Sequence, residues 1–267
     1  MTSTCRMALL ALAVVGVLTP LRARADSGAV VSLVVHQART PRFKVPHYTT
    51  QGTYPRVAGE GLDLRVVNLA LRATIVDDQR TYARLAGRAV RGIPLHQNGP
   101  YGLYQTGIGH WFISASSAVV SGLLPDLELF PGGNDGAGWI PFTIRVPSGK
   151  PVTQLQLIAH GRRGVRAFTS AVLRFGKYYD GQNTCSGAAY RRAAGRDPTF
   201  RALYARDQLG ESVIALVPGG VIVGTPNSVI PPACGRIELV VPYRFIRPYL
   251  SPLARTLVAG IRPPKHS

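Results

Sequence analysis

The alternation of apolar and polar positions divides the chain into short elements. Val30 to Val35 is a valine-rich apolar run that predicts a strand. Residues 37–60 carry Pro41, Pro46, Gly52, Pro55 and Gly59, which interrupt any period and predict a loop. Leu62, Val66, Leu69, Ala73 and Val76 then recur at steps of four and three, as on one face of an amphipathic helix. Arg65, Arg72, Asp77, Asp78 and Arg80 fall mostly off that face, and Gly87 or Gly92 is expected to end the helix. Residues 92–109 read as an irregular, tyrosine-bearing stretch or an edge strand.

From His110 the period changes to two. His110 to Leu124 predicts one long strand, bent near Gly122, with its serines on a polar side. Leu127 to Phe130 runs into a turn cluster at residues 131–136, and Trp139 to Val146 is the next strand. Pro147-Ser148-Gly149-Lys150 is a tight turn, followed by a short strand or bridge from Val152 to Ile158. Residues 162–175 have helical spacing through Val165, Phe168 and Val172, and residues 199–205 show it more weakly. Val213 to Val217 and Val221 to Val223 flank a Pro218-Gly219-Gly220 turn, and Ile237 to Val241 is the last strand before a short terminal helix. Strands in runs beside one long helix predict an α+β fold. The expected architecture is a single domain, with an antiparallel sheet packed against that helix and shorter ones. No internal repeat is visible.

Composition adds the compartment. Arg6, the apolar run Met7 to Leu18 and the Ala23-Arg24-Ala25 site read as a secretory signal cleaved after Ala25. The run is too short for a membrane anchor. The chain thus divides into a signal at 1–25, an extension at 26–60 and the α+β domain at 61–267. Loss of three arginines lowers the basic count from 31 to 28 against 13 acids, a formal +15. Such a charge attracts anionic surfaces, which outside a cell means wall polymers, lipid headgroups or acidic proteins rather than nucleic acid. Cys185 and Cys234 remain as an even pair in an oxidising compartment and predict a disulfide worth about 4 kcal/mol on the chain-entropy estimate.

The order of several motifs is similar to a known family. An Asn68-bearing helix precedes the serine-rich strand Ser114 to Ser121, then Leu129-Phe130-Pro131-Gly132-Gly133-Asn134-Asp135-Gly136. Trp139-Ile140-Pro141-Phe142-Thr143 and the Pro147 to Val152 turn follow, with Glu238 to Tyr243 and Pro248-Tyr249-Leu250 near the end. Over roughly residues 60–255 this resembles the extracytoplasmic domain of RsiV-type anti-sigma factors and related small secreted mycobacterial antigens. The resemblance implies an α+β fold and, in the anti-sigma branch, lysozyme binding that exposes the domain to proteolysis. The family's Gly-Gly-Ala-His-Gly turn is here Gly132-Gly133-Asn134-Asp135-Gly136, so a histidine role does not carry over. A net charge of like sign also works against a cationic lysozyme.

Catalytic signals are sparse. The six histidines show no local zinc spacing, no phosphate-loop or dinucleotide motif occurs, and the serines lack a nucleophile elbow, so no metal or cofactor is expected. Asp126, Glu128, Asp135 and His110 are the candidates for a hydrolase acting on wall glycan or ester. The simpler reading makes them turn and strand residues. The leading expectation is a secreted, non-catalytic binding protein whose partner is a protein or an anionic wall polymer. Tyr101, Tyr104 and Trp111 are the candidate aromatic contacts, and Arg162, Arg163 and Arg166 the cationic ones. A second arginine cluster lies at Arg191, Arg192, Arg196 and Arg201.

Overall fold

The computed structural model describes residues 33–45, 48–89, 103–107, 111–129, 136–178, 213–224 and 238–261. Three strands precede the long helix: β1 (Val34–Arg39), β2 (Phe43–Val45) and β3 (Tyr48–Ala58). Helix α1 (Arg65–Ala89) is followed by β4 (Leu103–Thr106), β5 (Phe112–Ala115), β6 (Val119–Leu129) and β7 (Gly136–Arg145). These seven strands form one sheet in the order β1-β3-β4-β6-β5, with β2 beside β3 and β7 beside β6. All pairs are antiparallel except β3 with β4.

The short helix α2 (Gln154–Leu157), a 3-10 turn (Gly161–Gly164) and α3 (Val165–Phe175) lead to a second, four-stranded sheet. Its strands are β8 (Lys177–Tyr178), β9 (Val213–Val217), β10 (Gly220–Gly224) and β11 (Glu238–Pro242), in the order β8-β11-β10-β9. Helices α4 (Tyr243–Ile246) and α5 (Pro252–Ala259) close the chain, joined by a 3-10 turn.

The period of two along each strand builds the layers. On β6, Val120 and Leu124 join the core under α1, whereas Leu123 turns the other way toward Phe112, Val213, Ala215 and Ile222. On β9, Ile214 and Leu216 face away from the first sheet, into a core with Phe168 of α3, Ile246 of α4 and Leu257 of α5. The order is helix, sheet, sheet, helices. The α+β class holds, and the single expected sheet is two. Among the described residues no helix is long and apolar enough to cross a membrane.

The structure corrects several local expectations. Residues 37–60 are mostly strand. Gly52 lies within β3 at φ +154°, where a Cβ would lie 2.3 Å from the Thr106 carbonyl oxygen. The buried positions step from Thr50 to Pro55 and Val57, so the alternation shifts across Gly52. Helix α1 turns a different stripe inward: Leu64 before it, then Val67, Leu71, Ile75, Gln79 and Ala83 are buried. Val66 and Leu69, expected on the core face, are 47% and 57% exposed. Gly87 lies within the helix.

The long strand expected from His110 is two. Ser116 breaks it, its Oγ accepting the N–H groups of Ala118 and Val119 at 3.2 Å. Gly122 marks no bend; it makes room for the Phe142 ring, which a Cβ would meet at 2.5 Å. Ser114 and Ser121 are register partners and buried, not solvated. Leu103–Thr106 is an interior strand between β3 and β4's other neighbour, β6. The stretch 152–158 contains helix α2, started by Thr153, whose N–H is accepted by Gln156 Oε1 at 2.8 Å. The weak helix at 199–205 lies outside the described residues.

Candidate functional site

Polar side chains enter the buried stripe of α1 at Asp78, Gln79 and Tyr82. The stripe lies against β3 and β4, where Thr50, Tyr104 and Thr106 are buried, and Thr40 is buried just after β1. Gln79 Nε2 donates to Thr40 Oγ1 and to Thr106 Oγ1, both at 3.0 Å. Thr40 Oγ1 in turn donates to the Gly52 carbonyl at 3.1 Å. One amide thus ties the helix to β4 and to the turn after β1.

Beside this network Tyr104, 2% exposed, places its hydroxyl between two carboxylates. Its Oη is 2.5 Å from Asp78 Oδ2 and 3.0 Å from Asp126 Oδ2. The Tyr82 ring stacks on it at 4.1 Å, 8° from parallel. Gly138, the register partner of Asp126, leaves space for that carboxylate; a Cβ there would lie 2.6 Å from Asp126 Oδ1. Burial pushes the Tyr104 phenol far above its ordinary range, and the two aspartates add to the shift. Burial also raises Asp78, against the opposing hydrogen bond from Tyr104. A phenol has one proton to give. It satisfies both neighbours fully only when one of them is a neutral acid that donates back.

The Asp78–Asp126 pair leaves no open position for a substrate between its carboxylates. Paired glycosidase carboxylates flank a substrate oxygen; here the phenol oxygen fills that position. The phenol is held neutral, so it is neither base nor nucleophile at ordinary pH.

Two open grooves lie elsewhere among the described residues. The larger, about 570 Å³, runs between β3 and the start of α1. Tyr54, Leu62 and Leu69 supply its apolar surface, and Arg56, Arg65 and Arg72 its charge. Asn68 closes its inner side: Oδ1 accepts the Val57 N–H at 2.8 Å and Nδ2 donates to the Val57 carbonyl at 2.9 Å. The smaller groove, about 400 Å³, is lined by Arg39, Thr40, Arg42, Gln51, Gly52, Thr53 and Gln105. No carboxylate lines either groove.

The residues singled out from sequence fare unequally. Tyr104 is not a surface contact; its ring is core and its hydroxyl is engaged. Trp111 is half-buried, and its indole N–H goes to the Gly107 carbonyl at 3.0 Å. Asp126 does meet a second carboxylate, but that partner is Asp78 of α1, bridged by Tyr104. Glu128 lies on β6 opposite Tyr104 in register. Asp135, His110, Tyr101, Cys185, Cys234 and the cluster from Arg191 to Arg201 lie outside the described residues. Arg162, Arg163 and Arg166 are exposed on the 3-10 turn and first turn of α3, and line neither groove. Among the described residues no group of three or more His, Cys, Asp or Glu is placed to hold a metal ion. Gln79 and Tyr82 escaped the sequence reading, and Asp78 was placed among the charges off the core face of the helix. Their signal was present: Gln79 stands four residues after Ile75, on the stripe that proves to be buried.

No family model matches the chain, and no curated protein matches it. Its structural neighbours are DUF3298 family proteins. One, from Pseudomonas aeruginosa PAO1, is 12% identical, with 83% of this chain and 94% of that chain covered and a TM-score of 0.45. Another, from Bacteroides fragilis, is 9% identical, with 86% and 98% covered and a TM-score of 0.46.

Proposed function

We propose that the protein is a secreted, non-catalytic binding module that takes an anionic partner, a protein segment or a wall polymer, in the groove between β3 and α1. The carrying observation is the lining of that groove: three arginines around an apolar surface that includes Leu69, 57% exposed. Arg56 and Arg72 make no ion pair among the described residues, so their charge is available. Arg65 approaches Asp63 only at 3.9 Å in the open. Guanidinium groups suit carboxylate and phosphate, and an exposed leucine suits a partner with an apolar side chain. The signal-like N-terminus, the cysteine pair and the RsiV-type order of motifs support placement outside the cytoplasm. A cationic lysozyme remains the poorer partner on charge grounds.

The test is retention of the chain, as secreted, on isolated peptidoglycan, anionic wall polymer and lysozyme at low and high salt. Specific binding survives high salt on one partner and falls about tenfold in Arg56→Gln/Arg72→Gln, the scale of losing charge-assisted bonds. Retention that vanishes with salt on every partner, or that ignores the double substitution, rejects the reading.

A further inference from the structure

We infer that the smaller groove, at the junction of β1, β3 and β4, is a separate site for an acidic sugar, a saccharide bearing a phosphate or a carboxylate. It shares no lining residue with the α1 groove, so it does not depend on the reading above. Two cations flank it, Arg39 at the end of β1 and Arg42 beyond Pro41. Neither makes an ion pair among the described residues. A guanidinium keeps its charge at any working pH and presents paired N–H groups that match an oxyanion.

The backbone between the two arginines is fixed. Thr40 is 9% exposed, and its N–H donates to the Gly52 carbonyl at 2.9 Å. Its hydroxyl donates to the same carbonyl at 3.1 Å while accepting from Gln79 at 3.0 Å. Gln79 is itself wholly buried and anchored on α1. The two arginine stems therefore leave the chain on either side of a pinned residue, which lowers the entropy lost when both engage one anion. Gln51 and Gln105 line the same groove and are register partners across the parallel pair β3–β4. Side-by-side carboxamides both donate and accept, the pattern that reads sugar hydroxyls. Anion and polyol donors in one groove of about 400 Å³ define the ligand class.

The experiment titrates the chain with glucuronate, glucose 6-phosphate and glucose, followed by amide NMR shifts. The expected result is saturable binding of at least one acid, tighter than glucose, with shifts near Gln51 and Gln105. In Arg39→Gln/Arg42→Gln that binding weakens about tenfold. In Arg162→Gln/Arg163→Gln, which removes equal charge elsewhere, and in Arg56→Gln/Arg72→Gln, it is unchanged. The stronger of the two acids identifies the anion. No saturable binding of either acid, glucose binding as tightly, or equal weakening in the Arg162/Arg163 variant overturns the assignment. Loss in the Arg56/Arg72 variant alone would move the acid to the other groove and reject this one.

Discussion

Asp78 carries an unusual linkage. An aspartate in an ion pair titrates low and stabilises the fold at neutral pH; Asp78 is raised by burial instead. Its folded state prefers the neutral acid. The stability it contributes is therefore complete below the unfolded value, about 3.9, and is lost as pH rises through the elevated folded value. Asp78→Asn keeps the shape, and its amide can donate to Tyr104. We predict that this variant melts higher than the parent at pH 8, with the difference closing toward pH 4. Thermal melts across that range decide it; parallel curves would show that the carboxyl titrates as in the unfolded chain. Gly138 shows the same economy of space, since its missing side chain lets Asp126 reach the phenol.

At the scale of elements, the exposed margin of β3 is sealed by a side chain rather than a strand. Asn68 meets both the N–H and the carbonyl of Val57. Asn68→Ala leaves both groups unmatched, and we predict a loss of about 2 kcal/mol, measured by urea melts. A loss near zero would mean that water replaces the amide. The strands of the second half were readable from their apolar runs and flanking turn residues: β11 alternates, whereas β9 is buried almost throughout because both of its faces are covered. The face of α1 was not readable. From Leu62 to Val76 apolar residues are so dense that two stripes fit a helical repeat, one through Val66 and Leu69, the other through Val67, Leu71 and Ile75. Only the sheet it packs on selects between them. The stripe left outside becomes part of the larger groove. The pairing of Asp78 with Asp126 was equally hidden, because it joins a helix to a strand 48 positions later through a third residue.

For the whole molecule, charge and shape divide the work of recognition. The chain carries 31 basic against 13 acidic side chains. Its field accelerates encounter with any polyanion and fades with salt, whereas contacts inside a groove govern release. We predict that Leu69→Ser raises the dissociation rate of the groove's partner with little change in association, while Arg56→Gln/Arg72→Gln lowers association most at low salt. Surface plasmon resonance at two ionic strengths separates these. Equal effects on both rates would place Leu69 outside the contact. The layered core keeps the two grooves rigid, since both are built on β3, and β3 is held by β1, β2, β4 and α1.

A buried hydroxyl links the layers. Ser121 Oγ of the first sheet accepts the Leu216 N–H of the second at 2.9 Å and shares a proton with Thr143 at 2.8 Å. Apolar faces alone tolerate sliding, because leucine against valine is much the same one step along. A directional bond is not tolerant. Ser121 thus sets a vernier between the two sheets and makes their melting one event. In Ser121→Ala the calorimetric enthalpy should exceed the van't Hoff value, as the halves begin to come apart separately; a ratio that stays at unity would show that packing alone keeps them in step.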